Sequence, residues 1–193
     1  MSGYSPNIAD FDNDGWKDIF VSRGDVQSLN MVDRHAIDQP NTVFRNSTNG
    51  KWAALTGEAG FTAQPARRHR GSAYGDFNHD GKLDLVVTAL SAPAEIWIND
   101  SPNSNHWLEI ALQGTKSNRD GIGATIRVST SGKTQYNCVS TASGYASSSA
   151  GPVHFGLGEA KIADEIEIRW PSGTKQVLKN VQGDQILHVK EPN

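Results

Sequence analysis

The feature that most constrains this chain is a duplicated acidic nonapeptide. Asp10-Phe11-Asp12-Asn13-Asp14-Gly15-Trp16-Lys17-Asp18 recurs at an offset of 66 residues as Asp76-Phe77-Asn78-His79-Asp80-Gly81-Lys82-Leu83-Asp84, and internal self-similarity of this kind marks a repeat architecture. A second echo trails each copy, Val43-Phe44-Arg45-Asn46 after the first and Ile96-Trp97-Ile98-Asn99 after the second. Measured from the first Asp, the echoed Asn lies 36 residues on in one unit and 23 in the other, so the first unit carries 13 more. The surplus is placed within residues 23–41 and read as a long loop, because no period-2 pattern survives there. Both acidic runs lead into β-type sequence, Ile19-Phe20-Val21 and Leu85-Val86-Val87-Thr88, without any helical apolar period. The acidic runs are therefore expected to be loops between strands.

In each loop, side-chain oxygens fall at positions 1, 3, 5 and 9, with Gly at position 6. A tight turn can then aim alternate oxygens at one centre, and Gly15 and Gly81 supply the left-handed backbone it needs. Hard oxygen donors in an all-protein cage suit calcium, which accepts six to eight ligands, better than magnesium, which keeps its waters. Two Ca2+ sites are expected: Asp10, Asp12, Asp14 and Asp18 with the Trp16 carbonyl, and Asp76, Asn78, Asp80 and Asp84 with the Lys82 carbonyl. An EF-hand begins similarly but needs a bidentate Glu at position 12 and flanking helices; here position 12 is Val21 or Val87. Seven of the chain's 21 acidic residues lie in these 18 positions, and without a cation they repel one another. Asp, Asn and Gly are also ordinary turn residues, so a metal-free loop is the bland alternative. The ions are expected to be structural.

With 193 residues the chain is too short for a closed propeller of ordinary size. The turn-rich stretch Asp100 to Asn105 is taken as a boundary, giving a first unit over residues 1–102 and a second over 103–193. Beyond it, about seven short strands alternate cleanly, as in Leu108, Ile110 and Leu112, Ala124, Ile126 and Val128, or Ile166, Ile168 and Trp170. They suggest a small antiparallel β-sandwich or barrel. A net charge of -3 provides no basic field for nucleic acid, and no apolar run is long enough to span a bilayer. Cys138, the single cysteine, is expected to be a buried, inert thiol. The start of the sequence lacks a secretory signal pattern, and the chain reads as a piece of a larger protein.

These residues resemble known families. The D-F-[DN]-x-D-G-x-x-D loop opening a strand is similar to the FG-GAP/VCBS repeat of integrin-like β-propellers. The second half resembles an ASPIC/UnbV domain in Gly114 to Ala124, Gly144-Tyr145, Val153-His154-Phe155-Gly156-Leu157-Gly158 and Trp170-Pro171-Ser172-Gly173. Together they resemble the C-terminal portion of cartilage acidic protein-like proteins. The resemblance implies an all-β chain: a partial β-propeller of one full and one partial blade, followed by the sandwich. It further implies a secreted, cell-surface or periplasmic calcium-binding protein engaged in adhesion to an extracellular protein or polysaccharide. Open blade edges allow a homodimer.

Other constellations are weaker. Arg67, Arg68 and Arg70 could contact an anion or acidic glycan through their forked donors, or simply balance nearby Asp. Asn118 to Gly121 could be a ligand loop or an Asx-stabilised turn. Trp97 and Trp170 are expected in the core and Trp16, next to the acidic loop, to be exposed. His154 reads as a hydrogen-bonded strand histidine. Asn46 and Asn99 begin glycosylation sequons. Ser172 and Lys175 match S-x-x-K only within a turn, and no other catalytic motif is present. The reading is a non-enzymatic binding module; the alternatives are a polysaccharide-active enzyme or its carbohydrate-binding part, and an architectural cap for further blades.

Overall fold

A computed structural model describes residues 2–26, 37–47 and 50–193, and among them it has fourteen strands and no helix. The first four, β1 (Gly3–Ala9), β2 (Asp18–Arg23), β3 (Thr42–Asn46) and β4 (Trp52–Leu55), form an antiparallel meander in chain order. The next three, β5 (His69–Gly75), β6 (Asp84–Ala89) and β7 (Ala92–Trp97), repeat it without a fourth strand. This is a complete propeller-type blade followed by a three-stranded one. The acidic nonapeptides are the β1–β2 and β5–β6 hairpin connections. Much of the long loop expected within residues 23–41 lies outside the described residues; at its ends the Asp25 N–H donates to the Ile37 carbonyl and Gln39 bridges Arg67.

The blades pack face to face because alternation puts apolar side chains on one side of each strand. Phe20 of β2 and Leu85 and Val87 of β6 are buried there with Phe11 and Leu83. Phe61, from the turn after β4, wedges between Phe20 and Trp97, with ring centroids 5.6 and 5.0 Å away. Beside this apolar layer runs a polar seam in which Ser72 N–H donates to Ser5 Oγ and Ser22 Oγ donates to the Arg70 carbonyl.

The remaining strands are β8 (His106–Gln113), β9 (Thr125–Thr130), β10 (Lys133–Cys138), β11 (Val153–Gly158), β12 (Ile162–Arg169), β13 (Lys175–Gln182) and β14 (Gln185–Lys190). They form two sheets, β10-β9-β12-β13 and β11-β8-β14. Leu108, Ile110 and Phe155 from one and Ile126, Ile166 and Ile168 from the other fill the core between them. The expected sandwich is present, with one difference: β14 pairs with β8 in parallel. After the turn at Gly183 and Asp184 the chain crosses from the β13 edge to the other sheet, where β8 still offers the edge not used by β11.

One expectation about a single residue fails. Cys138 is exposed, because β10 is an edge strand and its register puts Cys138 on the side of Tyr136, away from the core. Trp16 is exposed, as expected, and so is Trp52, since β4 is the outer strand of its blade. Trp170 is buried and Trp97 packs on the blade core, as expected.

Phe20 has no exposed surface and joins the two blades. Phe20→Ala should destabilise the chain by about 3–5 kcal/mol in equilibrium denaturation; a loss below about 1 kcal/mol would contradict this packing.

Candidate functional site

Each acidic loop is folded by its own carboxylates. Asp10 accepts the Asp14 N–H on Oδ1 at 3.1 Å and the Gly15 N–H on Oδ2 at 2.8 Å; Asp76 does the same with Asp80 at 3.1 Å and Gly81 at 2.8 Å. Asp14 accepts from Trp16 and Asp80 from Lys82. The turns this requires place Asn13 and His79 at φ 58° and 62°, and Gly15 and Gly81 at 89° and 83°, so the left-handed backbone expected at the glycines is present and extends to a second position. The trailing echo is part of the same device. Asp18 bridges the N–H groups of Phe11 and Asn46, and Asp84 those of Phe77 and Asn99. The side chains of Asn46 and Asn99, at the sequon positions, donate back to the carbonyls of Lys17 and Leu83 respectively.

In loop one the carboxylate oxygens of Asp10, Asp12 and Asp18 lie within 4.8 Å of one another. Burial pushes the Asp10 carboxyl up to about 8; the Gly15 N–H opposes this, and the charges of Asp14, Asp12 and Asp18 add to it. Burial likewise raises Asp18 to about 7 against the Asn46 N–H, with Asp12 contributing. Asp14 is raised by burial and by Asp12. Converging oxygens with unfavourable mutual charge are a donor set that a hard divalent cation satisfies. These residues fit a calcium ion: Asp10, Asp12 and Asp18 would hold it, with Asp14 and the Trp16 carbonyl in the same loop. Loop two has the same backbone pattern but is more exposed, and Asn78 Nδ2 donates to Asp80 Oδ2. Among the described residues, only loop one brings three such groups this close.

The second unit stands on these loops. In β8 and β11, Leu108, Ile110, Val153, Phe155 and Leu157 enter the sandwich core, so the alternate residues Trp107, Glu109, His154 and Gly156 turn outward onto the blades. His154 Nε2–H donates to the Gly81 carbonyl at 3.1 Å, which also accepts from Asn13 Nδ2 at 3.0 Å. Gly158 N–H donates to the Asn13 carbonyl at 2.8 Å. A Cβ at Gly156 would collide with Asp10 Oδ2 and the Asn13 backbone, and one at Gly81 with the Trp107 indole. Lys17 Nζ donates to the Tyr136 carbonyl and Asn105 Nδ2 to the Asp12 carbonyl.

The arginines have internal partners. Arg67 pairs with Glu95 and Arg68 with Asp38, while Arg70 lies 3.9 Å over the Tyr4 ring and donates to the His69 and Asp25 carbonyls. Asn118 clamps Ile122 through both its amide atoms, and Arg119 pairs with the adjacent Asp120. Ser172 donates to Glu191 and Lys175 pairs with Glu167, so the two do not meet.

Glu191 was not singled out by its sequence context. It is 2% exposed and accepts the consecutive N–H groups of Thr115, Lys116 and Ser117 on Oε2, and the hydroxyls of Ser117 and Ser172 on Oε1. Successive N–H groups form an anion-binding nest, here filled by the carboxylate of Glu191, the residue that follows β14. No local spacing relates positions 115 and 191, so sequence periodicity could not have found it.

Residues 10–87 match the FG-GAP-like repeat family, and residues 114–193 match the ASPIC and UnbV family. Each of these two matches spans less than half of the chain. It is similar over most of its length to cartilage acidic protein 1 of Homo sapiens and of Mus musculus, each 28% identical over 189 residues. Those matches cover 95% of this chain and 27% of each relative. The Xenopus tropicalis cartilage acidic protein 1 is 28% identical over 195 residues, 96% of this chain and 28% of its own length. The chain thus spans just over a quarter of the curated relatives it matches.

Two measurements check this geometry. Gly156→Ala should cost about 1–3 kcal/mol in a denaturation experiment, because the added methyl has no room against loop one; a neutral effect would mean that β11 does not sit there. Burial pushes the Glu191 carboxyl up, but the Ser117 N–H, the Ser172 hydroxyl and the Thr115 and Lys116 N–H groups outweigh it and hold the group at about 2. A depressed carboxyl pKa stabilises the fold above the ordinary value near 4.5 and loses that contribution as pH falls towards 2. Glu191→Gln should therefore melt lower than the parent at pH 7, and the gap should close in acid. A gap independent of pH would contradict the nest.

Proposed function

We propose that this chain is a calcium-binding, non-enzymatic binding or adhesion module that works outside the cytoplasm, on an extracellular protein or polysaccharide. Residues 1–102 carry the ions and residues 103–193 form the ASPIC/UnbV-like partner. The observation that carries this reading is the convergence of Asp10, Asp12 and Asp18 in a loop whose fold is repeated, bond for bond, at Asp76 to Asp84. Extracellular calcium modules commonly bind at roughly 10⁻⁴ to 10⁻³ M, concentrations met outside cells. Similarity to proteins named for cartilage supports the same location, and no helix among the described residues is long and apolar enough to cross a membrane. Strands β4 and β7 end their sheets, and such edges can accept a strand from a second copy of the chain.

The site is tested by melting the chain in calcium and in chelator. At 100-fold saturation one site stabilises by about 2.7 kcal/mol, a shift of several degrees for a chain of this size. Asp10→Asn should lose most of the shift and, in chelator, should also melt somewhat lower than the parent, since an amide cannot accept both the Asp14 and the Gly15 N–H groups. Identical melts with and without calcium would refute the assignment.

A further inference from the structure

Two buried residues on the face that meets the acidic loops carry polar atoms without a bonding partner among the described residues. Glu109 is 4% exposed, and no hydrogen bond or ion pair among the described residues reaches its carboxylate. His154, 8% exposed, is its direct partner across the β8–β11 ladder, a register that brings side chains to about 5 Å at Cβ. The Gly81 carbonyl can only accept, so His154 Nε2 carries the proton and Nδ1 presents a lone pair; that Nδ1 is buried with no donor in reach. Both residues line a cavity of about 270 Å³ between the blades and the sandwich, whose walls include Tyr74, Phe77 and Leu83. Lys17 also lines it, but its ammonium is already held by the Tyr136 carbonyl and Asn137 Oδ1, each at 3.3 Å.

A buried carboxylate and a bare imidazole nitrogen are costly to leave unpaired. Both accept, and one is anionic, so their complement is a cation that donates hydrogen bonds. A transition metal centre usually takes three or four converging protein ligands; Asp10, Asp76, His79 and Cys138 also line the cavity, but among the described residues no trio that includes Glu109 or His154 converges. The cavity also exceeds the roughly 30 Å³ of a single water by about ninefold, which is room for an organic molecule. We propose that this cavity binds a small organic cation through a primary ammonium group, paired with the Glu109 carboxylate and donating to His154 Nδ1, with its apolar part against Tyr74 and Phe77. Neither unit forms the site alone: the blades supply the apolar wall and the carbonyl that sets the imidazole tautomer, and the sandwich supplies both polar contacts.

The test uses the full chain saturated with calcium and titrates it with n-butylamine at neutral pH, where the amine is protonated, following amide and imidazole nitrogen NMR signals. n-Butanol, butyrate and Zn²⁺ are titrated separately. Saturable binding at one per chain, moving the His154 ring signals, is expected for butylammonium and not for butanol or butyrate. Glu109→Gln should weaken it by about tenfold or more while keeping the parent's amide spectrum elsewhere and its calcium-dependent melt, and His154→Ala should weaken it independently. No saturable binding, equal binding of butanol, full affinity in Glu109→Gln, or Zn²⁺ excluding the amine from this pair would each overturn the proposal.

Discussion

Two aspartates fold the loops on which everything else rests. Asp10 and Asp76 each take two backbone N–H groups from four and five residues ahead, which turns a short acidic run into a rigid hairpin connection. That turn aims the Gly81 and Asn13 carbonyls at the second unit, and His154 and Gly158 bond to them. The same carboxylates that shape the loops also converge in loop one, so the loop that docks the sandwich is the loop whose charge most needs a cation. Shape and charge are coupled there: Asp10 Oδ2 is both a fold-defining acceptor and the atom against which Gly156 is packed.

The two blades repeat this logic unequally. In loop one the aspartates are buried, and burial raises Asp10 and Asp18 well above the ordinary carboxylate range. In loop two the middle of the turn is exposed and an Asn stands at position 3, so water and an amide relieve part of the same strain. Loop one carries the main metal assignment on this account, and loop two serves as much to present the Gly81 carbonyl as to gather oxygen donors. The polar seam between the blades is sealed from the other side, where the Tyr145 N–H reaches Ser5 Oγ and Ser143 Oγ reaches Asn7. The second unit thus closes the junction between blades at two places.

Much of this was legible in the sequence because it is local. The nonapeptide spacing, the glycines at position 6, the echoed Asn and the strand alternation of the second half all act within a few residues or within one repeat. What was not legible depends on contacts between distant segments. The partnership of Glu191 with residues 115–117 spans more than seventy positions, and the parallel pairing of β14 with β8 follows from which sheet edge was free. Cys138 was expected to be buried on composition alone, whereas its exposure is set by strand register. His154 read as an ordinary strand histidine, and one of its nitrogens is; the other faces a cavity that exists only once the two units meet.

The claim that the acidic loops are the platform for the second unit is tested most directly by amide hydrogen exchange at Gly158, whose N–H is bonded across the junction to the Asn13 carbonyl. The account predicts that this amide is strongly protected in calcium and exchanges markedly faster in chelator, while core amides of the sandwich such as Ile126 and Ile168 change little. Equal protection of Gly158 in both conditions would show that the junction does not depend on the ion, and a Gly158 amide unprotected in both would show that β11 does not rest on loop one at all.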